Sequence, residues 1–214
     1  MIEDIAKLQH PQFSRMYLRI SEQAERRGST GHRQRMLSDL IGTVIEIGAG
    51  NGLNFAHYPA TVTNVVAVEP DDTLRQSAER AATAAPVPIT VVSGQADALP
   101  GPDGSYDGAA TSLVLCSVPD PSHALAEAAR VLKPGGQLRF YEHVRSASSL
   151  LGRLQDVVAP AWASFGGGCH PNRDTVAAIG RAGFEIDEFD RFSFRFSPVL
   201  PPIAHVVGRA HKIV

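Results

Sequence analysis

Residues 44–52 read VIEIGAGNG and combine a short apolar run with three glycines at alternate positions. Glu46 interrupts the apolar residues, and Gly48, Gly50 and Gly52 follow it closely. Glycine lets the main chain turn sharply and lets another molecule come into contact with the backbone. The stretch therefore predicts a strand that runs into a loop against which a ligand lies.

From residue 43 onward, short apolar runs alternate with helical patterns. The predicted strands are TVIEI (43–47), NVVAV (64–68), PITVV (88–92), GAATSLVL (108–115) and QLRFY (137–141). The predicted helices are residues 72–85, 120–132 and 173–184, together with a helix and a Gly166–Gly168 loop over 147–168. Such regular alternation favours a parallel sheet with helices on both faces.

The end of the chain departs from this alternation. EIDEFDRFSFRF (185–196) and AHVVGRAH (204–211) predict two more strands, and Lys133–Gly136 predicts the turn that closes the helix over 120–132. The prolines of SPVLPP (197–202) favour an extended or turning link between the two strands. Because no helix joins them, we expect an antiparallel edge on the sheet.

The residues before position 43 form a separate pattern. Apolar positions at helical spacing over 11–40 predict two helices, which break at Gly28–Gly31. Six arginines lie between Arg15 and Arg35, and nearby acids partly balance them, so a solvated helix face is expected. We predict one domain overall, with residues 1–42 covering part of a binding site and residues 43–214 forming the core.

Composition excludes several classes of protein. The 214 residues are 43% hydrophobic and 20% charged, with a net charge of -2, so nucleic acid is not an expected partner. The two cysteines, Cys116 and Cys169, form no disulfide framework, which predicts a cytoplasmic protein. No apolar run reaches signal-peptide or membrane-span length, so we expect no membrane span; a homodimer is left open.

Glu69 ends the second predicted strand and indicates which ligand binds. A carboxylate there can accept two hydrogen bonds from the vicinal hydroxyls of a ribose. A dinucleotide fingerprint would place its third glycine at position 53, where this chain has Leu53. Glu46 would also repel a pyrophosphate but suit a positively charged ligand. A nucleoside cofactor is predicted, and a nicotinamide-dependent oxidoreductase remains an alternative.

Five stretches in this order resemble the class I S-adenosylmethionine-dependent methyltransferases. They are EIGAGNG, AVEPD, SGQADALP, SYDGAATSLVLCSV and VLKPGGQLRFYEHV. The resemblance spans about residues 43–214 and implies a Rossmann-like seven-stranded sheet, mostly parallel with an antiparallel edge strand. The chain is similar to the thiol S-methyltransferase branch at NFAHYP, LVLCSV, YEHV and the later PAW. Members of that branch have an amino-terminal membrane anchor, and we do not expect their membrane association in this chain. Ala49 and Asn51 replace the commoner Cys and Thr of the glycine motif.

The resemblance implies S-adenosylmethionine as cofactor, and the residues predict no metal. The implied cofactor-binding residues are Glu46, Gly48, Ala49, Gly50, Gly52, Asn54, Glu69, Pro70, Gln95, Ala96, Asp97, Thr111 and Leu113. Glu46 is expected to hold the glycine loop open beside the methionine end. Cys116 is interpreted as a small buried hydrophobe, and Cys169 with His170 provides too few ligands for zinc.

The predicted reaction is methyl transfer to a small apolar acceptor, and the resemblance alone implies that thiol is favoured over amine and hydroxyl. A nearby imidazole could take a proton from the acceptor. His143, at the end of the fifth strand, is the first candidate, and His170, just after the Gly166–Gly168 loop, is the second. The alternative for His143 is a structural role, as a histidine whose hydrogen bonds cap the end of the strand. A cofactor-binding protein without turnover is the alternative function.

Overall fold

A computed structural model describes residues 5–195 and 201–213. The helices are α1 (Pro11–Ala24), α2 (Thr30–Leu37), α3 (Asp72–Ala82), α4 (Pro121–Val131), α5 (Ser149–Phe165) and α6 (Thr175–Arg181). The strands are β1 (Gly42–Ile47), β2 (Val62–Val68), β3 (Ile89–Val92), β4 (Tyr106–Ser112), β5 (Leu132–His143), β6 (Phe184–Phe194) and β7 (Ile203–Lys212).

The strands form a seven-stranded sheet in the order β3-β2-β1-β4-β5-β7-β6. Strands β1 to β5 are parallel, and β7 runs antiparallel between β5 and the outermost strand β6. The predicted mostly parallel sheet with an antiparallel edge is therefore confirmed. The chain runs outward from β1 in one direction and from β4 in the other, so their carboxyl ends flank a crevice where ligands bind in such sheets.

Alternate residues of the strands pack into two apolar layers. Ile45 and Ile47 face a layer that includes residues of α4 and α6, whereas Val44 faces one that includes α2 and α3. Helices therefore cover both faces of the sheet, as predicted. Because successive strand side chains point to opposite faces, Glu46 belongs to the α2 side.

Side-chain caps fix where two of these helices begin. The Asp71 carboxylate accepts hydrogen bonds from the N–H groups of Thr73 and Leu74 at the start of α3. Asp120 accepts one from Ser122 at the start of α4, where Pro121 occupies the first helical position. These caps satisfy N–H groups that have no partner within the helix.

Two predicted boundaries are wrong. The strand expected over 108–115 ends at Ser112, because Leu113 adopts a positive φ of 61° and the chain turns away. Lys133–Gly136 was expected to be a turn, but β5 already begins at Leu132, with an irregular register opposite Tyr106–Gly108. Apolar composition alone does not reveal where a chain leaves the sheet.

The amino-terminal helices break where the sequence predicts. A kinked segment, Glu25–Ser29, joins α1 to α2, and Gly28 has a non-helical φ of 111° that favours glycine. The prediction of a solvated arginine face is wrong for Arg33, which is only 4% exposed. It is buried because carboxylate, amide and hydroxyl groups surround its guanidinium.

Strand β6 follows α6 without an intervening helix. The strand predicted to end at residue 196 is described to Phe194, and Phe196 and most of the SPVLPP link lie outside the described residues. No helix among the described residues has the length and apolar character needed to cross a membrane.

Candidate active site

A cleft of about 790 Å³ opens at the carboxyl ends of β1, β2, β3 and β4. Eight of the residues predicted to bind the cofactor line it. They are Gly48, Gly50, Glu69, Pro70, Gln95, Ala96, Asp97 and Leu113. The loops that follow four different strands therefore bring these predicted residues to one cleft.

Glu69 connects the second strand to the glycine loop. Its carboxylate accepts hydrogen bonds from the N–H groups of Gly50 and Asp71, at 2.7 and 2.9 Å. Burial raises the pKa of Glu69 to about 7, although these two donors oppose the rise. Each carboxylate oxygen has a second lone pair, so Glu69 can still accept hydrogen bonds from a ligand in the cleft.

The other five predicted cofactor-binding residues do not line the cleft. They are Glu46, Ala49, Gly52, Asn54 and Thr111. Ala49, Asn54 and Thr111 are buried. A Cβ on Gly52 would lie 2.9 Å from atoms of Phe55 and Ala81, so Gly52 lets the loop pack against α3.

Glu46 holds the segment after the glycines. Its carboxylate accepts hydrogen bonds from the Asn54 amide (2.8 Å) and the Tyr58 hydroxyl (2.7 Å). Burial raises the pKa of Glu46 to about 7, and both hydrogen bonds oppose the rise. Its contacts are with side chains beyond the loop and not with the glycine N–H groups, so any effect on the loop is indirect.

Arg33 is a site residue that sequence reasoning missed. Its guanidinium donates hydrogen bonds to Glu25 (2.8 Å), Asn54 (2.9 Å) and Ser112 (2.8 Å). It thereby ties the amino-terminal helices to the segment after the glycines and to the end of β4. Among six arginines at similar spacing, no local signal distinguishes Arg33, because its partners are distant in sequence.

A second cavity of about 500 Å³, which we call the apolar chamber, adjoins the cleft. It is lined mainly by apolar side chains of α1 and α5, including Phe13, Met16, Ile20, Val158 and Trp162. Phe13, Tyr17, Leu113 and Ser117 line both cavities. The chamber and the cleft therefore meet at these shared residues.

The two predicted catalytic histidines lie in different cavities. His143 lines the apolar chamber, whereas His170 lines the cleft. The Nδ1 atom of His170 lies 2.7 Å from the Gly168 carbonyl oxygen, which fixes it as a hydrogen-bond donor. His205, whose pKa burial lowers well below its usual value, is also in the chamber.

His143 lies beside both cysteines. Its Nδ1 atom is 3.2 Å from the Cys169 Sγ and 3.6 Å from the Cys116 Sγ. The Cys116 thiol and the His143 imidazole lower the pKa of Cys169, whereas burial raises the pKa of Cys116. Sequence reasoning missed this cluster because its three members are separated by 26 residues or more.

The cleft fits a nucleoside cofactor. Gln95 is 4% exposed and lines the cleft, and neither polar atom of its side chain has a hydrogen-bond partner among the described residues. Buried amides normally have partners, and the edge of a base supplies both a donor and an acceptor. Gly50, with a φ of 57°, leaves space in front of the Tyr17 ring. The fold and cleft define a Rossmann-like protein that binds a nucleoside.

Comparison with known proteins shows which Rossmann-like proteins this chain is similar to. Residues 45–140 match a family described as a methyltransferase domain. Thiol S-methyltransferase TMT1B of Rattus norvegicus is 35% identical over 176 residues, which cover 79% of this chain and 70% of the relative. Its Homo sapiens counterpart is 33% identical over 175 residues, with the same coverages of 79% and 70%.

A solved structure of similar fold supports the assignment. An S-adenosylmethionine-dependent methyltransferase of Thermotoga maritima has 26% identity and a TM-score of 0.65, with coverages of 94% of this chain and 99% of that chain. The chain belongs to the S-adenosylmethionine-dependent methyltransferases, in the family that contains the thiol S-methyltransferases. It is a methyltransferase, and S-adenosylmethionine is its cofactor.

Proposed function

We propose that this enzyme transfers the methyl group of S-adenosylmethionine to the sulfur of a small apolar thiol. The observation that carries the proposal is the apolar chamber next to the cofactor cleft, with Phe13, Tyr17, Leu113 and Ser117 shared between them. An acceptor in the chamber would lie beside the methionine end of a cofactor in the cleft. The thiol S-methyltransferase relatives support sulfur as the acceptor atom.

The proposed cofactor contacts divide the cleft by chemistry. Glu69 would accept hydrogen bonds from the ribose, and Gln95 with Asp97 would hold the base. Gly48, Gly50 and Leu113 would border the methionine end. When bound, S-adenosylmethionine supplies a methyl group activated by a sulfonium. The chain's task is therefore to align an acceptor and keep water away.

The walls of the chamber suit a neutral, apolar acceptor. Arg33 lines the chamber, but Glu25, Asn54 and Ser112 already occupy its guanidinium. A protonated amine would lose its hydration there without gaining a free carboxylate among the lining residues. A thiol loses less on transfer to such a cavity, so we rank thiol above amine and hydroxyl.

Removal of the proton from the acceptor thiol is assigned to a histidine. A thiol must lose its proton to become a strong nucleophile. His143 is the first candidate for this step because it lines the chamber, and His170, in the cofactor cleft, is the second. We propose that α1, α2 and the intervening turn cover the acceptor, which agrees with the α1 residues in the chamber wall.

A transfer assay with methyl-labelled S-adenosylmethionine tests this function. Benzyl mercaptan, benzylamine and benzyl alcohol share one apolar group and differ in the acceptor atom. We expect label in the thioether and at least tenfold less in the amine and ether. Equal transfer to benzylamine, or transfer to none of the three by enzyme that binds S-adenosylhomocysteine, would reject the thiol assignment.

The location and assembly of the enzyme stay predictions from sequence. The cytoplasm is proposed because two cysteines form no disulfide framework, and a homodimer remains a prediction. Light scattering of the purified chain would determine its mass in solution.

A further inference from the structure

Three side chains with metal-binding atoms meet at the polar corner of the apolar chamber. Cys116 comes from the loop after β4 and His143 from the end of β5. Cys169 follows Gly166–Gly168 in the loop after α5. Their sulfur and nitrogen atoms all lie within 4.8 Å of one another. The reaction proposed above requires no more than one base, so it does not account for this clustering of three.

The separations agree with those of a tetrahedral metal site. Zn–S bonds of about 2.3 Å and Zn–N bonds of about 2.0 Å imply ligand separations of about 3.8 Å for two sulfurs and about 3.5 Å for sulfur and nitrogen. The two Sγ atoms are 3.7 Å apart, and the Cys116 Sγ is 3.6 Å from the His143 Nδ1. The third separation, from Nδ1 to the Cys169 Sγ, is 3.2 Å and must widen slightly.

Neighbouring groups hold the cysteine loops in place. The buried Glu142 carboxylate accepts hydrogen bonds from the N–H groups of Val114, Leu115 and Cys116, at 3.1 to 3.2 Å. The His170 N–H donates to the Cys116 carbonyl oxygen at 2.7 Å and so joins the two cysteine loops. Metal sites depend on such outer contacts to orient their ligands.

Charge and position also suit a zinc ion. Two thiolates balance the charge of Zn²⁺, so a neutral imidazole as third ligand gives a neutral site, which can be buried. His143 and Cys169 line the chamber, whereas Cys116 is fully buried and lines neither cavity. The fourth position of the tetrahedron would then open into the chamber.

We propose that Cys116, His143 and Cys169 bind Zn²⁺ and that its fourth position takes the sulfur of the acceptor thiol. This second part rests on the proposed thiol methyl transfer. The S–H bond breaks, the proton passes to solvent water and the thiolate binds zinc. The thiolate electron pair then forms the bond to the methyl carbon, and the electrons of the broken methyl–sulfonium bond remain on the cofactor sulfur. In the zinc-bound enzyme His143 is a metal ligand, and zinc replaces it in the role of base that the proposed function gives to His143.

Cobalt substitution tests the site directly. The full chain is stripped with a chelator under reducing conditions and titrated with Co²⁺ and then with Zn²⁺. We expect one equivalent of Co²⁺ to give tetrahedral visible bands and a thiolate-to-cobalt charge-transfer band, which one equivalent of Zn²⁺ abolishes. Absence of the charge-transfer band, with no stoichiometric zinc bound, would overturn the proposal, whether the cysteines are then thiols or a disulfide.

Matched variants identify the ligands. We expect Cys116→Ser, Cys169→Ser and His143→Gln each to weaken Zn²⁺ binding at least tenfold while S-adenosylhomocysteine still binds. His211→Gln, on β7 and outside the cluster, should bind zinc like the unmodified chain. Unchanged zinc affinity in all three cluster variants would assign the metal to other residues.

The role of the metal in acceptor binding is tested separately. Benzyl mercaptan should change the charge-transfer band of the Co²⁺ protein, and benzyl alcohol at the same concentration should not. Full thiol methylation by the metal-free enzyme would overturn the acceptor role while supporting the proposed function. Stoichiometric zinc without any thiol methylation would reject the proposed function and leave the zinc site itself supported.

Discussion

Glu69 is the residue at which the glycine loop, the second strand and the proposed cofactor site meet. It is 5% exposed and already accepts two backbone hydrogen bonds. A carboxylate this desolvated gains from further donors, because hydrogen bonds to a charged acceptor are stronger than neutral ones. We therefore expect Glu69 to contribute to cofactor affinity through both its charge and its position.

The first prediction concerns the affinity lost without Glu69. We expect Glu69→Ala to weaken S-adenosylhomocysteine binding by about 1–3 kcal/mol, the scale for losing hydrogen bonds to a charged group. Calorimetry measures the change, and Glu79→Ala on the exposed side of α3 is the control. Unchanged affinity in a folded Glu69→Ala protein would remove Glu69 from the cofactor site.

The second prediction concerns pH. Burial raises the pKa of Glu69 to about 7; the backbone N–H groups of Asp71 and Gly50 oppose the rise, the charge of the Asp71 carboxylate adds to it, and Arg75 opposes it. Ribose hydroxyls favour the ionised carboxylate, so binding should release a proton, and affinity should fall as the pH drops from 7 to 5.5, by at most about tenfold per unit. Glu69→Gln should flatten this pH dependence. Affinity that rises toward pH 5.5 would contradict the assignment.

A single site residue can be predicted from the sequence only where its role is marked by a pattern among neighbouring residues. Gly50 and Glu69 could be predicted because a glycine loop after one strand and an acid after the next are local patterns. Arg33, Cys116 and Cys169 could not, because their partners lie on distant segments. Glu46 was expected to hold the glycine loop open, but its hydrogen-bond partners are Asn54 and Tyr58, which follow the glycines. The motif around Glu46 does not reveal these partners.

At the scale of elements, Arg33 fastens the amino-terminal helices to the sheet. The side chains of Arg33 and its partner Glu25 are 5% and 17% exposed. Arg35, two residues along α2, pairs with Asp190 at the surface, where the two side chains are 51% and 59% exposed. The two arginines provide a matched comparison of a buried and an exposed ion pair.

The third prediction concerns stability. We expect Arg33→Met to lower the free energy of unfolding by about 3 kcal/mol, because it leaves a largely buried carboxylate without its cation. Arg35→Met should lower it by less than about 1 kcal/mol. Urea denaturation measures both values. Equal small losses would show that the Arg33 network does not hold the helices in place.

Most elements follow from hydrophobic pattern and capping signals. The parallel strands are short apolar runs, and Asp120 with Pro121 marks the start of α4 as predicted. The end of β4 could not be predicted, because the apolar residues Leu113–Leu115 continue the pattern after the backbone turns. What ends the strand there is a positive φ at Leu113 and hydrogen bonds to distant Tyr141 and Glu142.

At the scale of the whole molecule, the cofactor cleft and the apolar chamber are built from different parts of the chain. The cleft is formed largely by loops at the carboxyl ends of the strands, which sequence motifs identify. The chamber is formed largely by side chains of α1 and α5, which carry only an apolar pattern. The fold and many of the residues that line the cleft were therefore predictable from the sequence, whereas the chamber depends on how the helices pack.

The proposed thiol transfer places the acceptor in the apolar chamber. Ala24, at the end of α1, lines the chamber, whereas the neighbouring Gln23 is exposed and lines neither cavity. Ala24→Trp fills the chamber, and Gln23→Trp places the same side chain in solvent.

The decisive measurement is the KM for benzyl mercaptan in these two variants, with S-adenosylhomocysteine affinity as the check on the cofactor cleft. We predict that Ala24→Trp raises the KM at least tenfold while cofactor affinity stays within twofold, and that Gln23→Trp changes neither. An unchanged KM in Ala24→Trp would contradict the account, because the acceptor would then bind outside the chamber.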